Sequence, residues 1–225
     1  MTYYDIHTHR PSLHPEDLAI VSVDIRKPFV LNNQFYSVGV HPWYIDCFDR
    51  EAIDDLFAKV CRLALHPRVK AIGETGLDKN TAKPASDFLL QRELLISHAR
   101  LSEKVKKPLI IHCVKAWNDL LSIRQSIKPA IPWIIHGFRG KVALAIRLLD
   151  VGLYLSFGLH YNIDSLKIAW SKRRLLLETD DKNITICEVY QQVANDLDIS
   201  EQELAKEIEE LWLMVNGKVS LICNS

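Results

Sequence analysis

Asp5-Ile6-His7-Thr8-His9 follows directly on the short apolar-leaning run 1–4. In an extended chain the side chains alternate faces, so His7 and His9 point the same way and can grip one cation from the end of a strand. Two histidines at this spacing also occur on surface strands that bind nothing, so the pair takes its meaning from what stands at the ends of the other strands.

Apolar runs of strand length recur at 3–6, 19–24, 35–40, 69–73, 109–111, 133–135, 153–157 and 175–177, each closing on a polar or glycine-bearing segment. Near-continuous apolar runs, rather than strict alternation, predict strands covered on both faces, as in a parallel sheet. Helical periodicity fills most of the gaps. Residues 50–65 carry apolar side chains at 53, 56, 57, 60, 63 and 64, with Asp49 placed to cap them. Further helices are expected at 86–105, 116–127, 142–149, 163–171, 186–197 and 200–215, the last opening on a capping box, Ser200-Glu201-Gln202-Glu203. Strands alternating with helices predict an α/β fold, a (β/α)₈ TIM-type barrel, with a doubly wound open sheet as the second reading. Segments 7–18 and 25–34 are short and hold Pro11, Pro15 and Pro28, so the connections after strands one and two are expected to be shortened, without full helices. No repeat, linker or domain boundary is apparent, and 1–225 reads as a single domain.

The chain has 28 Lys+Arg and 28 Asp+Glu, so its neutral total exerts no global pull on nucleic acid or an anionic membrane. Five cysteines, Cys47, Cys61, Cys113, Cys187 and Cys223, contain no CxxC pair, which argues against a disulfide framework or a cysteine zinc site. With no basic-then-apolar leader and no long apolar run, the expected location is the cytoplasm.

The ionisable residues fall at the carboxyl ends of the expected strands: His7 and His9 after the first, His41 after the third, Glu74 after the fourth, His112 after the fifth, His136 after the sixth and Asp180 after the eighth. In a parallel barrel those ends form the mouth where catalytic groups gather. His66 and His98, at or in helices, are expected to face solvent. Imidazoles with two carboxylates suit Zn²⁺, Mn²⁺ or Fe²⁺ better than Ca²⁺, and six candidate ligands exceed what one catalytic ion needs. Trp43, Tyr44, Trp117, Phe138 and His160 are candidates for the rim of the mouth, and Lys115, Arg139 and Lys141 for phosphate contacts.

Six blocks, in order, resemble the TatD-related metal-dependent hydrolases, an amidohydrolase-like barrel family that includes deoxyribonucleases. They are Asp5-Ile6-His7-Thr8-His9, Val38-Gly39-Val40-His41-Pro42, Ala71-Ile72-Gly73-Glu74-Thr75-Gly76-Leu77-Asp78, Pro108-Leu109-Ile110-Ile111-His112, Ile135-His136-Gly137-Phe138-Arg139-Gly140 and Leu177-Glu178-Thr179-Asp180. The resemblance implies two divalent ions (Mg, Mn or Zn): His7 and His9 would hold one with Asp180, Glu74 would bridge, and His112 and His136 would complete the second. It implies hydrolysis of phosphodiester bonds in single-stranded DNA or a nucleotide-like substrate by a metal-activated water, with Asp180 as general base. His41 would contact the phosphate or leaving group, and Glu178 would support the ligands from behind.

Members with DNase activity usually carry an Arg two residues beyond the fifth-strand His, where this chain has Val114 followed by Lys115. After Asp180 the family's Arg- and Asn-rich loop is replaced by Asp181-Lys182-Asn183 leading into a helix. These departures keep open hydrolysis of a small metabolite ester or amide, and a non-catalytic metal-binding scaffold. The thin covering after strands one and two predicts a homodimer.

Overall fold

Valine-, isoleucine- and leucine-rich strands with no polar face must be covered on both sides, and the chain meets that need by following most strands with a helix. A computed structural model describes residues 1–12, 14–47, 49–82 and 85–217; Cys223 lies outside these. The strands are β1 (Tyr4–Thr8), β2 (Leu18–Val23), β3 (Phe35–Val38), β4 (Val69–Asp78), β5 (Leu109–Val114), β6 (Trp133–Ile135), β7 (Tyr154–Phe157) and β8 (Leu175–Leu177). They form one eight-stranded sheet in sequence order, with parallel pairing from β3 through β6 and between β7 and β8. A parallel bridge joins Thr8 to Asp180, at the ends of the first and last strands. This is the strand order of a (β/α)₈ barrel.

The helices are α1 (Arg50–Leu63), α2 (Ala85–Val105), α3 (Trp117–Ile127), α4 (Val142–Asp150), α5 (Ile163–Ser171), α6 (Ile186–Leu197) and α7 (Glu201–Val215). Among the described residues none lies between β1 and β2 or between β2 and β3, and β3 leads into a 3-10 turn, Pro42–Cys47, as the prolines of those segments foretell. Asp49 caps α1 by accepting from Ala52 N–H at 2.9 Å. Ser200 caps α7 through Glu203 N–H, but the complete capping box sits one helix earlier, where Thr185 and Glu188 satisfy each other's backbone at the start of α6. No helix among the described residues is long and apolar enough to cross a membrane.

The chain forms two compact units, Met1–Ile20 with His136–Ser225, and Val21–Ile135. In the first, β1, β7 and β8 are buried along their length. Tyr190 of α6 is fastened to β1, its hydroxyl accepting from Tyr4 N–H at 3.1 Å and donating to Tyr4 O at 3.3 Å. In the second, β4 runs on through Glu74 to Asp78 instead of ending at Gly73, and β5 runs to Val114, so Glu74 and His112 lie within strands. The glycines that look like a strand end have another use. A Cβ on Gly76, at φ +151°, would strike the carbonyl oxygen of His112, and one on Gly73 the carbonyl oxygen of Ile110, so both let β4 approach β5 closely where the register shifts between Ile72 and Thr75.

His98 does not face solvent. It is fully buried in α2, where Nδ1 donates to Leu94 O at 2.7 Å and Nε2 accepts from Val40 N–H at 3.0 Å. The contact from Val40 requires a neutral ring, because an imidazolium could not accept. Burial accordingly pulls its pKa from 6.5 down to about 4. Since the unfolded chain takes up the proton first, the stability from neutral His98 is complete above pH 6.5 and is lost as pH falls toward 4, up to about 3 kcal/mol in all. Urea unfolding between pH 8 and 4 should show this slope, and His98→Leu should flatten it; an unchanged slope in the variant would count against the assignment.

Candidate metal centre

The first unit gathers its ionisable side chains by pairing the end of β1 with the segment after β8. Asp180 N–H donates to His7 O and His9 N–H donates to Asp180 O, both at 3.0 Å. Asp180 sits in left-handed backbone, φ +56°, which Asp tolerates better than most residues and which is frequent where a side chain must be aimed. Its Oδ1 lies 3.7 Å from His7 Nε2 and 3.5 Å from His9 Nε2. The His7 ring, fully buried, rests 4.4 Å from that of His136. His7, His136 and Asp180 each offer one ligand atom within 4.8 Å of the others, so His136 stands with the first-strand histidine rather than apart from it.

Two buried acids support this set. Asp5 accepts from Thr179 N–H at 3.1 Å and Thr179 Oγ1–H at 2.6 Å, anchoring the residue before Asp180. Burial pushes its carboxyl up to about 7, against the lowering effect of those hydrogen bonds. Glu178 accepts from Gly137 N–H at 2.6 Å and lies 3.5 Å from His136 Nδ1. Burial raises its pKa, but His136 and its other partners outweigh that and leave it lowered, so it remains a carboxylate behind His136.

The second unit contains a closed circuit of contacts. Trp43 N–H donates to His41 Nδ1 at 3.1 Å, which leaves the proton on Nε2, 2.9 Å from Glu74 Oε1. The same oxygen lies 3.1 Å from His112 Nδ1; His112 Nε2 lies 3.2 Å from Asp78 Oδ2, and that atom accepts from the Trp43 indole N–H at 2.8 Å. Burial pushes the Asp78 carboxyl up, yet Trp43, Asn80 and His112 together hold it below its ordinary value. His41, Glu74 and His112 have ligand atoms within 4.8 Å of one another.

His112 tests whether this set suits a metal. A neutral imidazole has one N–H, so only one of its two carboxylate contacts can be a hydrogen bond. The other sets a lone pair against a carboxylate oxygen, an arrangement that a cation between the two converts into coordination. By the same logic His41, with Nδ1 accepting and Nε2 protonated, is a proton donor.

Asp5 and Asp78 stand in the quoted sequence blocks without an expected role; the signal for each was a carboxylate two residues from a strand-end histidine or two residues beyond a glycine. Among the rim aromatics Trp43 is 53% exposed, whereas Phe138 is core. Cys113, beside His112 but facing away, is buried, which pushes its thiol up to about 12 and makes it unreactive.

Histidine and carboxylate sets on the strands of a parallel sheet in this order define the class: an α/β-barrel protein with candidate divalent-metal sites on its strands and the segments that follow them. A family model described as TatD related DNase matches residues 24–215, and the chain belongs to that family. It is 34% identical over 164 residues to an uncharacterized metal-dependent hydrolase of Buchnera aphidicola, covering 66% of this chain and 59% of that protein. It is 30% identical over 157 residues to deoxyribonuclease Tat-D of Schizosaccharomyces pombe, covering 64% and 50%. The chain thus spans between half and three-fifths of the length of these relatives. The solved structures of the TatD homolog YJJV of Escherichia coli and of a TatD family hydrolase of Entamoeba histolytica superpose with TM-scores of 0.74 and 0.73 over 95% of this chain and 97% of each. At 17% and 18% identity that likeness concerns the fold.

Carboxylates that orient a ligating histidine typically contribute a factor of 10–100 to metal affinity. Asp78→Ala should therefore weaken binding of Mn²⁺ or Zn²⁺ by roughly that factor in competition with a chelating dye. Undiminished affinity would make the contact between Asp78 and His112 incidental.

Proposed function

We propose that the chain is a divalent-metal-dependent hydrolase of the TatD type that cleaves phosphodiester bonds in DNA, acting on single strands or nucleotide-like fragments as one catalytic domain. The observation that carries this reading is the occurrence of a histidine–carboxylate set in each unit, His7, His136 and Asp180 in one, and Glu74 and His112, with the proton donor His41 beside them, in the other. The deoxyribonuclease among the relatives supports the choice of DNA. The free thiols Cys61, Cys113 and Cys187 suit a reducing compartment such as the cytoplasm.

Two ions are the proposed complement: His7, His9, His136 and Asp180 would hold one, and Glu74 and His112 the other. Bound there, they would polarise the phosphoryl oxygen and lower the pKa of the attacking water. Asp180, a quarter exposed after β8, would act as the base, taking a proton from the water whose oxygen bonds to phosphorus. The ester P–O bond breaks, and the departing oxygen takes up a proton from solvent. In the second unit His41, which carries its proton on Nε2, is the proposed donor to a substrate phosphate oxygen. Glu178 keeps the His136 ring in place during turnover.

Purified protein supplied with Mg²⁺ or Mn²⁺ should release nucleotides from single-stranded DNA. Asp180→Asn should lower kcat by about 10²–10⁴-fold, the usual worth of a general base. Full activity in Asp180→Asn and His7→Ala would remove the assignment. The second reading, hydrolysis of a small metabolite ester or amide, is favoured by Val114 and by the short segment 181–185 between Asp180 and α6; turnover of small esters without release from DNA would select it. Metal-loaded protein inert across both substrate sets would instead indicate a scaffold.

A homodimer belongs to the same proposal. The helix-free connection between β2 and β3 leaves Val30 86% exposed, an apolar residue that a second copy would cover. Sedimentation should show a dimer at micromolar concentration; a monomer throughout would overturn this.

A further inference from the structure

Beside Asp180 lies a cavity of about 150 Å³ that the metal-ligand sets leave unused, lined by Arg139, His160, Glu178, Asp180, Lys182 and Asn183 among others. Pockets that enclose a whole small molecule usually measure about 300–1,000 Å³, so this one suits a single group of a larger ligand. Each of its two carboxylates has one oxygen turned to another group, and the second Glu178 oxygen is buried. Glu178 Oε1 accepts from Gly137 N–H, and Asp180 Oδ1 faces His7 and His9.

Its donors are disposed differently. Arg139 and His160 are exposed and make no hydrogen bond or ion pair among the described residues. Asn183 Oδ1 accepts from Arg10 Nη1 at 2.6 Å, which leaves its amide N–H groups as the end available to a ligand. Lys182 is held by Asp181 at 2.6 Å, so the cation on the cavity wall that makes no ion pair among the described residues is the Arg139 guanidinium. A guanidinium fork flanked by an amide and an imidazole calls for a small, multiply accepting anion, and a phosphate with its free oxygens is the match.

We propose that this cavity is a subsite for a terminal phosphate monoester of the substrate, gripped by Arg139 with Asn183 and His160. The proposal rests on the phosphodiester reading above and deepens it by naming the group through which the substrate is held beside the general base, a terminal phosphate.

The test is calorimetric titration of the metal-replete protein with thymidine 5′-monophosphate, thymidine 3′-monophosphate and thymidine. At least one monophosphate should bind, thymidine should bind at least about 10-fold more weakly, and Arg139→Ala should weaken the monophosphate by about 10–100-fold. Arg139→Lys, which keeps the charge without the fork, should recover part of the loss, and it decides the matter if the Ala variant melts earlier or binds less metal. The preferred monophosphate identifies which strand end is held. Thymidine binding as tightly as the monophosphates, which would signal base stacking, overturns the subsite, as does an affinity indifferent to both Arg139 variants. Binding of the monophosphate by protein that cleaves no DNA would overturn the phosphodiesterase reading and leave the subsite standing, while cleavage of DNA with indifference to Arg139 would do the reverse.

Discussion

Two backbone hydrogen bonds of 3.0 Å between Asp180 and the His7–His9 segment underlie the first candidate centre. They fasten the segment after β8 to the end of β1, residues some 170 apart in the chain, and set one carboxylate against two imidazoles. The left-handed conformation at Asp180 is the local cost, of order 1–3 kcal/mol for such backbone, and the surrounding lattice holds it. Asp5 reinforces the arrangement through Thr179, so even the residue before Asp180 has both its backbone N–H and its hydroxyl engaged.

The second centre is built on a different principle. There the side chains constrain one another around Trp43, His41, Glu74, His112 and Asp78, and the backbone contributes chiefly by proximity. Gly73 and Gly76 permit that proximity, because an added Cβ would meet main-chain carbonyls of β5 that cannot step aside. His98 completes the support from beneath by accepting from Val40 N–H, one residue before His41. A buried neutral histidine thus positions the chain that carries a proton-bearing one.

Much of this was legible in the sequence where the signal is local. The apolar period located the helices to within a residue or two, and the prolines of 7–18 and 25–34 announced connections without helices. The strand-end histidines and carboxylates were visible as candidates because a parallel sheet gathers strand ends. What escaped depends on contacts between residues far apart in the chain. Asp78 acquires its role from Trp43 and His112, and His98 from Val40, 58 residues away. His98 did carry a faint signal, since Leu94 and Leu101 share its face of α2 and both are buried. Strand β4 was cut short because glycine reads as punctuation, whereas here it serves a close approach within the strand.

Trp43 has one further consequence. It is the one tryptophan more than half exposed among those described, yet its indole N–H is tied to a carboxylate that also faces His112. Indole emission follows the polarity and charge around the ring, so whatever draws on Asp78 alters the light that Trp43 returns. The protein therefore carries an intrinsic optical reporter at one of its candidate centres, through which occupancy can be followed without attaching a label.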